Sequence, residues 1–159
     1  MKRSDLPPLA CLVVMTFVAT SAFAQKSRSS VSAAEVTGTF RSYFGGKFKN
    51  EYDEIRIASA GRGKLHIAMD LLFPMMVHGE LSANIGELDG EAAITGDTAV
   101  YESAEFGACK ITIKFLRPGT IDVGQDGADG DCGFGHNVMA SGTYRKVSSR
   151  KPSFERDHD

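Results

Sequence analysis

Hydrophobic and polar residues alternate with a period of two along several segments of the chain. The apolar members of the three clearest segments are Ile55 and Ile57; Leu65, Ile67 and Met69; and Ile111, Ile113 and Phe115. Polar or small residues occupy most of the positions between them. A strand with this pattern buries one face and exposes the other, as strands of antiparallel sheets do. The pattern therefore predicts an antiparallel β protein.

Turn residues separate these segments at short intervals. Gly61-Arg62-Gly63 and Arg117-Pro118-Gly119 each follow an alternating run, which predicts two β-hairpins. The candidate strands are 36–44, 52–60, 64–72, 76–84, 90–95, 98–103, 109–116, 119–124 and 137–147. A meander of about eight short strands predicts an all-β fold, either a small barrel or a sandwich. The first and last strands, which carry the similar segments 38–40 and 142–144, are predicted to be closing partners, and closure would remove exposed sheet edges.

One segment, residues 68–77, is apolar on both alternating faces. Its sequence, AMDLLFPMMV, has some helical character, but Pro74 would interrupt a helix. Two interpretations remain open. Its methionines and other large side chains are core residues, or they form an exposed apolar lip for a ligand or partner.

The N-terminus predicts export. Lys2 and Arg3 precede an apolar run over residues 9–20, and small residues at Ala22 and Ala24 suit cleavage before Gln25. Twelve residues are too few to span a bilayer as a stable helix. A lipoprotein attachment at Cys11 is not expected, because the apolar run follows that cysteine rather than preceding it. Residues 1–24 are therefore predicted to be a cleaved signal peptide, which places the mature chain in the periplasm or outside the cell.

The mature chain has the length and charge of one small domain. Removing residues 1–24 leaves 135 residues, with 16 basic and 19 acidic side chains and a net charge of about −3. Residues 25–34 are predicted to be a flexible leader, 35–147 the β domain and 148–159 a polar tail. The acidic balance gives no reason to expect a nucleic acid partner. No apolar run in the mature chain is long enough to predict a membrane span.

Two cysteines remain after cleavage, Cys109 and Cys132. A pair in an oxidising compartment predicts a disulfide. It would close a loop of about 24 residues and stabilise the fold by roughly 3 kcal/mol. The alternatives are a redox pair or a metal site, but the spacing is far from C-x-x-C and no histidine cluster accompanies it.

The most distinctive segment is the glycine- and aspartate-rich stretch 124–138. The candidate binding residues within it are Asp126, Asp129, Asp131, Phe134 and His136. The aspartates suggest a calcium loop, but their spacing does not match an EF-hand. A polar turn held by Cys132 and a non-standard calcium loop are the two interpretations of the aspartates. Phe134, between glycines, is either buried beside the disulfide or displayed with His136 as a binding loop.

No motif identifies a reaction. The chain lacks Gly-x-Ser-x-Gly, a phosphate-binding loop and a dinucleotide fingerprint, and no histidines lie at a zinc-ligand spacing. Asp53-Glu54 and residues 87–89 are interpreted as solvated charges at strand ends rather than as paired catalytic carboxylates. The sequence thus predicts a protein that is not an enzyme and needs no cofactor.

The C-terminal half resembles a group of small exported bacterial proteins that lack an established activity. The resemblance covers residues 85–147 and depends on 90–101, 109–115, 132–138 and 142–144. More loosely, the predicted architecture is similar to periplasmic lysozyme inhibitors and lipocalin-like barrels, an analogy of fold alone. It implies a binding protein, such as an inhibitor of a cell-wall hydrolase or of another envelope protein. The alternative is a barrel that binds a small apolar ligand, and an uncharacterised hydrolase is the third hypothesis.

Overall fold

The computed structural model describes residues 30–155, which form eight antiparallel strands closed into a barrel. The strands are β1 (Gly38–Tyr43), β2 (Tyr52–Gly61), β3 (Lys64–Val77), β4 (Glu80–Thr95), β5 (Thr98–Ser103), β6 (Cys109–Arg117), β7 (Thr120–Asp126) and β8 (Gly142–Ser148). A short helix α1 (Ala33–Val36) precedes them, and single 3₁₀ turns lie at Gly46–Phe48 and Gly130–Cys132. The predicted all-β barrel with one disulfide is confirmed. The predicted signal peptide lies outside the described residues.

Each strand pairs with the next along the chain, and β8 closes the barrel against β1. The closing pairs include Phe40 with Lys146 and Arg41 with Arg145. The predicted pairing of the first and last strands is therefore confirmed. None of the helices within residues 30–155 is long and apolar enough to span a membrane.

Bulky side chains fill the interior of the barrel. The largest that are fully buried are Phe40, Ile55, Ile57, Leu65, Ile67, Met69, Leu71, Ile111, Ile113, Ile121, Val138 and Tyr144. The apolar members of the alternating segments supply most of this set. An eight-stranded barrel is just wide enough for its own side chains to fill, so these residues make up the core.

Strands β3 and β4 are much longer than predicted and project beyond their other neighbours. Pairing of β2 with β3 ends at Asp70, whereas β3 and β4 stay paired to the turn at Val77 and Glu80. The prediction of three strands, 64–72, 76–84 and 90–95, was wrong here: the chain forms one continuous hairpin. His78 and Gly79 have φ values of 52° and 88°, which is the backbone of a type I′ turn.

Residues 72–85, the projecting part of this hairpin, are called the arm. Pro74 lies within it, opposite Ala83. Backbone groups on an antiparallel strand point alternately to its two neighbours. The nitrogen of Pro74 points away from β4, toward the side that β2 no longer covers, so no ladder hydrogen bond is lost. A proline that would break a helix is therefore accommodated in this strand.

Two predicted strand starts were wrong, and each has a local reason. Segment 36–44 begins instead at Gly38, because Ser32 and Glu35 form a capping box that starts α1. Segment 137–147 begins instead at Gly142. Residues 127–141, called the capping loop, include Gly133 at φ +74° and Asn137 at φ +64°, values that a regular strand does not contain.

Candidate functional site

The aspartates of the capping loop hydrogen-bond to the backbone of the loop itself. Asp129 accepts from the N–H groups of Gly130 at 2.7 Å and Asn137 at 2.6 Å. These bonds, that from Asn137 first, lower the pKa of the Asp129 carboxyl. Asp131 accepts from the N–H of Ala128 at 2.9 Å. Their immediate role is to fold the loop, as Asp side chains do in tight turns.

Asp126 lies apart from these bonds, as the exposed last residue of β7. It borders an open groove of about 700 Å³ together with Glu102, Lys110 and Asp131. Lys110 Nζ lies 3.5 Å from Glu102 Oε1 in this groove. Over residues 30–155, no three His, Cys, Asp or Glu side chains converge to hold a metal ion.

Phe134 is buried, with 6% of its surface exposed. Its ring and the side chain of Val138 pack against Gly86 of β4 so closely that a Cβ there would lie within 2.9 Å of both. The backbone extends the contact, since Gly135 N–H donates to Ile85 O at 2.9 Å. This position favours the core interpretation of Phe134. His136, by contrast, has 82% of its side chain exposed.

The disulfide is a second anchor of the capping loop. Cys109, the first residue of β6, is bonded to Cys132 in the 3₁₀ turn, and both are buried. The loop is thus fixed to β6 by a covalent bond and to β4 by Phe134 and Gly135. Of the five predicted binding residues, the loop exposes His136 and keeps Phe134 inside.

The outer face of the arm carries apolar side chains, of which Pro74 is buried and most of the others are exposed. Three cross-strand pairs lie on this face: Leu72 with Ile85, Pro74 with Ala83, and Met76 with Leu81. We call these six residues the apolar ladder. Met76, Leu81 and Ile85 have 43%, 54% and 59% of their surface exposed. The two interpretations of segment 68–77 each hold for part of it: Ala68, Met69 and Leu71 are core, whereas Met76 and Val77 form an exposed lip.

Near its base, each edge of the arm is protected against strand addition. On the β3 edge, the N–H of Leu72 donates to Asp53 Oδ1 at 2.7 Å, and Pro74 has no N–H to offer. On the β4 edge, Ile85 O accepts from Gly135, and Asn84 Nδ2 donates to His136 O at 2.7 Å. Prolines and covering loops are the usual protection of sheet edges. A partner would therefore meet the side-chain faces of the arm rather than these parts of its edges, and the outer face is the one that carries Met76, Leu81 and Ile85.

The sequence did not reveal that the carboxyl group of Asp53 is buried. It is 9% exposed, so its interpretation as a solvated charge at a strand end was wrong. Burial raises the pKa of its carboxyl to about 6, and the hydrogen bond from Leu72 opposes that shift. Its neighbour Glu54 faces outward and pairs with Arg41 Nε at 2.7 Å. Alternation along β2 explains the difference, because successive side chains point to opposite faces.

The C-terminal tail contacts the outer face of the sheet at β2 and β3. We call residues 151–155 the strap. The Phe154 ring stacks on His66 with centroids 3.8 Å apart and planes 13° from parallel. Arg56 Nη1 donates to Ser153 O at 2.9 Å. In the sequence, this contact was indicated only by Phe154, an aromatic residue within a polar tail.

Comparison with known proteins produced no match: no family model, no curated protein and no solved structure is significantly similar to the chain.

Proposed function

We propose that the chain is an exported binding protein without catalytic activity, and that it contacts an envelope protein through the apolar ladder. The observation that supports this most is the exposure of Met76, Leu81 and Ile85 together on the outer face of the arm. Large contiguous apolar patches on soluble surfaces mark interaction sites far more often than isolated apolar residues do.

The ladder is held in place rather than left loose. Next to the base of the arm, Gly86 packs closely against Phe134 and Val138, and Ile85 and Asn84 hydrogen-bond to the same loop. The capping loop that supplies Phe134 and Val138 is itself tied to β6 by the disulfide. A rigid arm pays little conformational entropy on binding, which favours association. Methionine adds adaptability, since its flexible thioether packs against varied surfaces.

The partner we propose is a cell-wall hydrolase that the arm inhibits, or another protein of the envelope. This partner is suggested by the fold-level analogy to periplasmic lysozyme inhibitors. The resemblance to the group of small exported proteins suggests no partner, because that group has no established activity. Export is proposed from the N-terminal segment 1–24. The disulfide supports it, because such bonds persist mainly in oxidising compartments.

The filled interior weighs against the alternative, a barrel that encloses a small apolar ligand. Such a ligand requires a lumen larger than the side chains lining it. Here Phe40, Ile67, Ile113 and Tyr144 are among the fully buried residues that occupy this space. A ligand would have to displace them.

The test compares two double variants of the exported chain. Met76→Ser with Leu81→Ser removes the centre of the ladder, whereas Val147→Ser with Tyr43→Ser removes two exposed apolar residues elsewhere. The immobilised wild-type and control chains should retain the same envelope protein, and the ladder variant should lose it. Equal retention by all three would refute the ladder as the binding surface.

A turbidity assay on purified cell wall then tests inhibition. The wild-type chain should slow lysis by the retained hydrolase, and the ladder variant should not. If the retained protein is no hydrolase, or lysis continues unchanged, inhibition is excluded while binding through the ladder stands.

A further inference from the structure

Beyond the ladder, we infer a second binding surface, which accepts an extended peptide segment bearing an aromatic side chain. It lies on the outer face of β2 and β3, where the strap is seated. The strap is the resident occupant in the free chain, and a partner segment of the same chemistry displaces it. The ladder is not required for this site.

Four residues in two cross-strand pairs form the floor of the site: Arg56 opposite Ala68, and Ala58 opposite His66. They face outward because Ile57 and Ile67, the residues between them, point into the core. Ala58 and Ala68 are nonetheless only 3% exposed. Two small side chains between two long ones make a shallow depression, and the strap crosses it from Arg56 to His66.

His66 supplies the surface for an aromatic ring. Its Nε2 lies 2.9 Å from Asp89 Oδ1 on β4, and this contact holds the imidazole in one orientation. Phe154 then lies flat on the imidazole at a centroid distance of 3.8 Å. Stacking of this kind selects a planar side chain over an aliphatic one.

Arg56 supplies a hydrogen-bond donor for a peptide backbone. Its Nη2 is paired with Asp70 Oδ2 at 2.8 Å, which fixes the guanidinium plane. Nη1 is left to donate to a carbonyl, and it binds Ser153 O. Every peptide has such a carbonyl, so this contact recognises an extended backbone and His66 recognises the adjacent ring. Together they define the chemistry of the ligand.

The strap is attached weakly enough to be displaced. Among the contacts described for residues 30–155, one ring stack and one hydrogen bond join it to the sheet. It is also tethered, and a short tether gives an occupant an effective concentration in the millimolar range. A free segment therefore competes with the strap and binds more tightly once Phe154 is removed.

The experiment uses the full exported chain and the synthetic peptide Lys-Pro-Ser-Phe-Glu. Amide resonances of Ala58, His66 and Ala68 are followed by NMR during titration. The Phe154→Ala chain should show saturable shifts with an apparent Kd roughly 3- to 10-fold lower than the wild-type chain, because its site is vacant more often. Phe106→Ala, which removes an exposed phenylalanine in another loop, should behave like wild type.

Two further measurements establish specificity. The peptide Lys-Pro-Ser-Ala-Glu should produce no saturable shift in the Phe154→Ala chain. The ladder variant Met76→Ser with Leu81→Ser should bind Lys-Pro-Ser-Phe-Glu as the wild-type chain does, so this site and the proposed function fail independently.

The inference is overturned if wild-type and Phe154→Ala chains bind the peptide equally, or if the peptide lacking the ring binds as well. It is also overturned if the Phe154→Ala chain ignores the peptide but forms a dimer with wild-type chains, because the site would then belong to a second copy. Unchanged amide spectra away from the site confirm that each variant is folded.

Discussion

The capping loop and the arm leave the same end of the barrel and touch each other, yet they expose opposite kinds of side chain. The loop is rich in glycine and aspartate, buries Phe134 and uses Asp129 and Asp131 to bind its own backbone. The arm is apolar and displays Met76 and Leu81 to solvent. Composition alone would have ranked them the other way, with the loop as the binding site and the arm as core.

The difference shows that a region's availability to a partner depends on which neighbouring residues pack against it, and not on its amino-acid composition. The loop is attached near its middle to two different strands, by the disulfide at Cys132 to β6 and by the bond from Gly135 to Ile85 of β4. Asp129 and Asp131 accept hydrogen bonds from the loop's own backbone, and Phe134 is buried, so these side chains stabilise the loop. Within residues 30–155, the arm is tied to the rest of the molecule only near its base, at Leu72, Asn84 and Ile85, which leaves the apolar side chains of its outer face exposed. Four predictions test this contrast.

The largest effect is expected from Phe134→Ala in the loop. A buried aromatic leaves a cavity against Gly86 and Val138 when truncated, so the free energy of unfolding should fall by about 3–5 kcal/mol. Urea denaturation measures it. Phe106→Ala, at an exposed phenylalanine, should change stability by less than about 0.5 kcal/mol. A neutral Phe134→Ala would mean that the loop does not depend on its aromatic anchor.

The covalent anchor comes next. Replacing both Cys109 and Cys132 with serine should lower the free energy of unfolding by about 2–5 kcal/mol, because the unfolded chain loses its cross-link. Thiol titration of the unfolded, unreduced wild-type chain should find no free cysteine in exported protein. Two free thiols would contradict the bond, and an unchanged stability would show that the loop is held by packing alone.

The third prediction concerns Asp53, which closes the β3 edge of the arm. Burial raises its pKa from 3.8 to about 6 in the folded chain, so the folded state binds more protons than the unfolded state between these values. Stability should therefore rise as pH falls from 7 to about 4, by up to about 3 kcal/mol from this group.

The matched variants for this prediction are Asp53→Asn and Asp126→Asn. Asp53→Asn should flatten the dependence of stability on pH over that window, measured by thermal unfolding at several pH values. Asp126→Asn, at an exposed carboxylate, should retain it. A wild-type chain whose stability does not increase toward pH 4, relative to Asp53→Asn, would contradict the buried state of this carboxylate.

The smallest effect is expected on the ladder. Met76→Ser should change the free energy of unfolding by less than about 0.5 kcal/mol, as surface substitutions do. Leu71→Ala, five residues earlier on the same strand but fully buried, should cost about 2–5 kcal/mol. Urea midpoints of the two variants measure the contrast. A large loss from Met76→Ser would place the ladder in a core and remove the basis for a binding face.

Local patterns in the sequence were sufficient for most of the barrel. Alternation around Ile55, Ile67 and Ile113 identified strands and their buried faces, since side chains of a strand point alternately to its two sides. Turn residues separated the strands, and the pairing of two cysteines was correct. Each of these properties depends on a few neighbouring residues or on a simple count.

Tertiary structure decided what covers each face, and the candidate surfaces depend on that. The period-two pattern does not show where β2 ends alongside β3. For that reason the hairpin of β3 and β4 was predicted as three shorter strands. Nor does the pattern reveal that Asp53 turns inward to meet Leu72, or that Phe154 reaches His66 from 88 positions away. Such contacts join residues distant in the chain, and their energy depends on packing in three dimensions rather than on local preference.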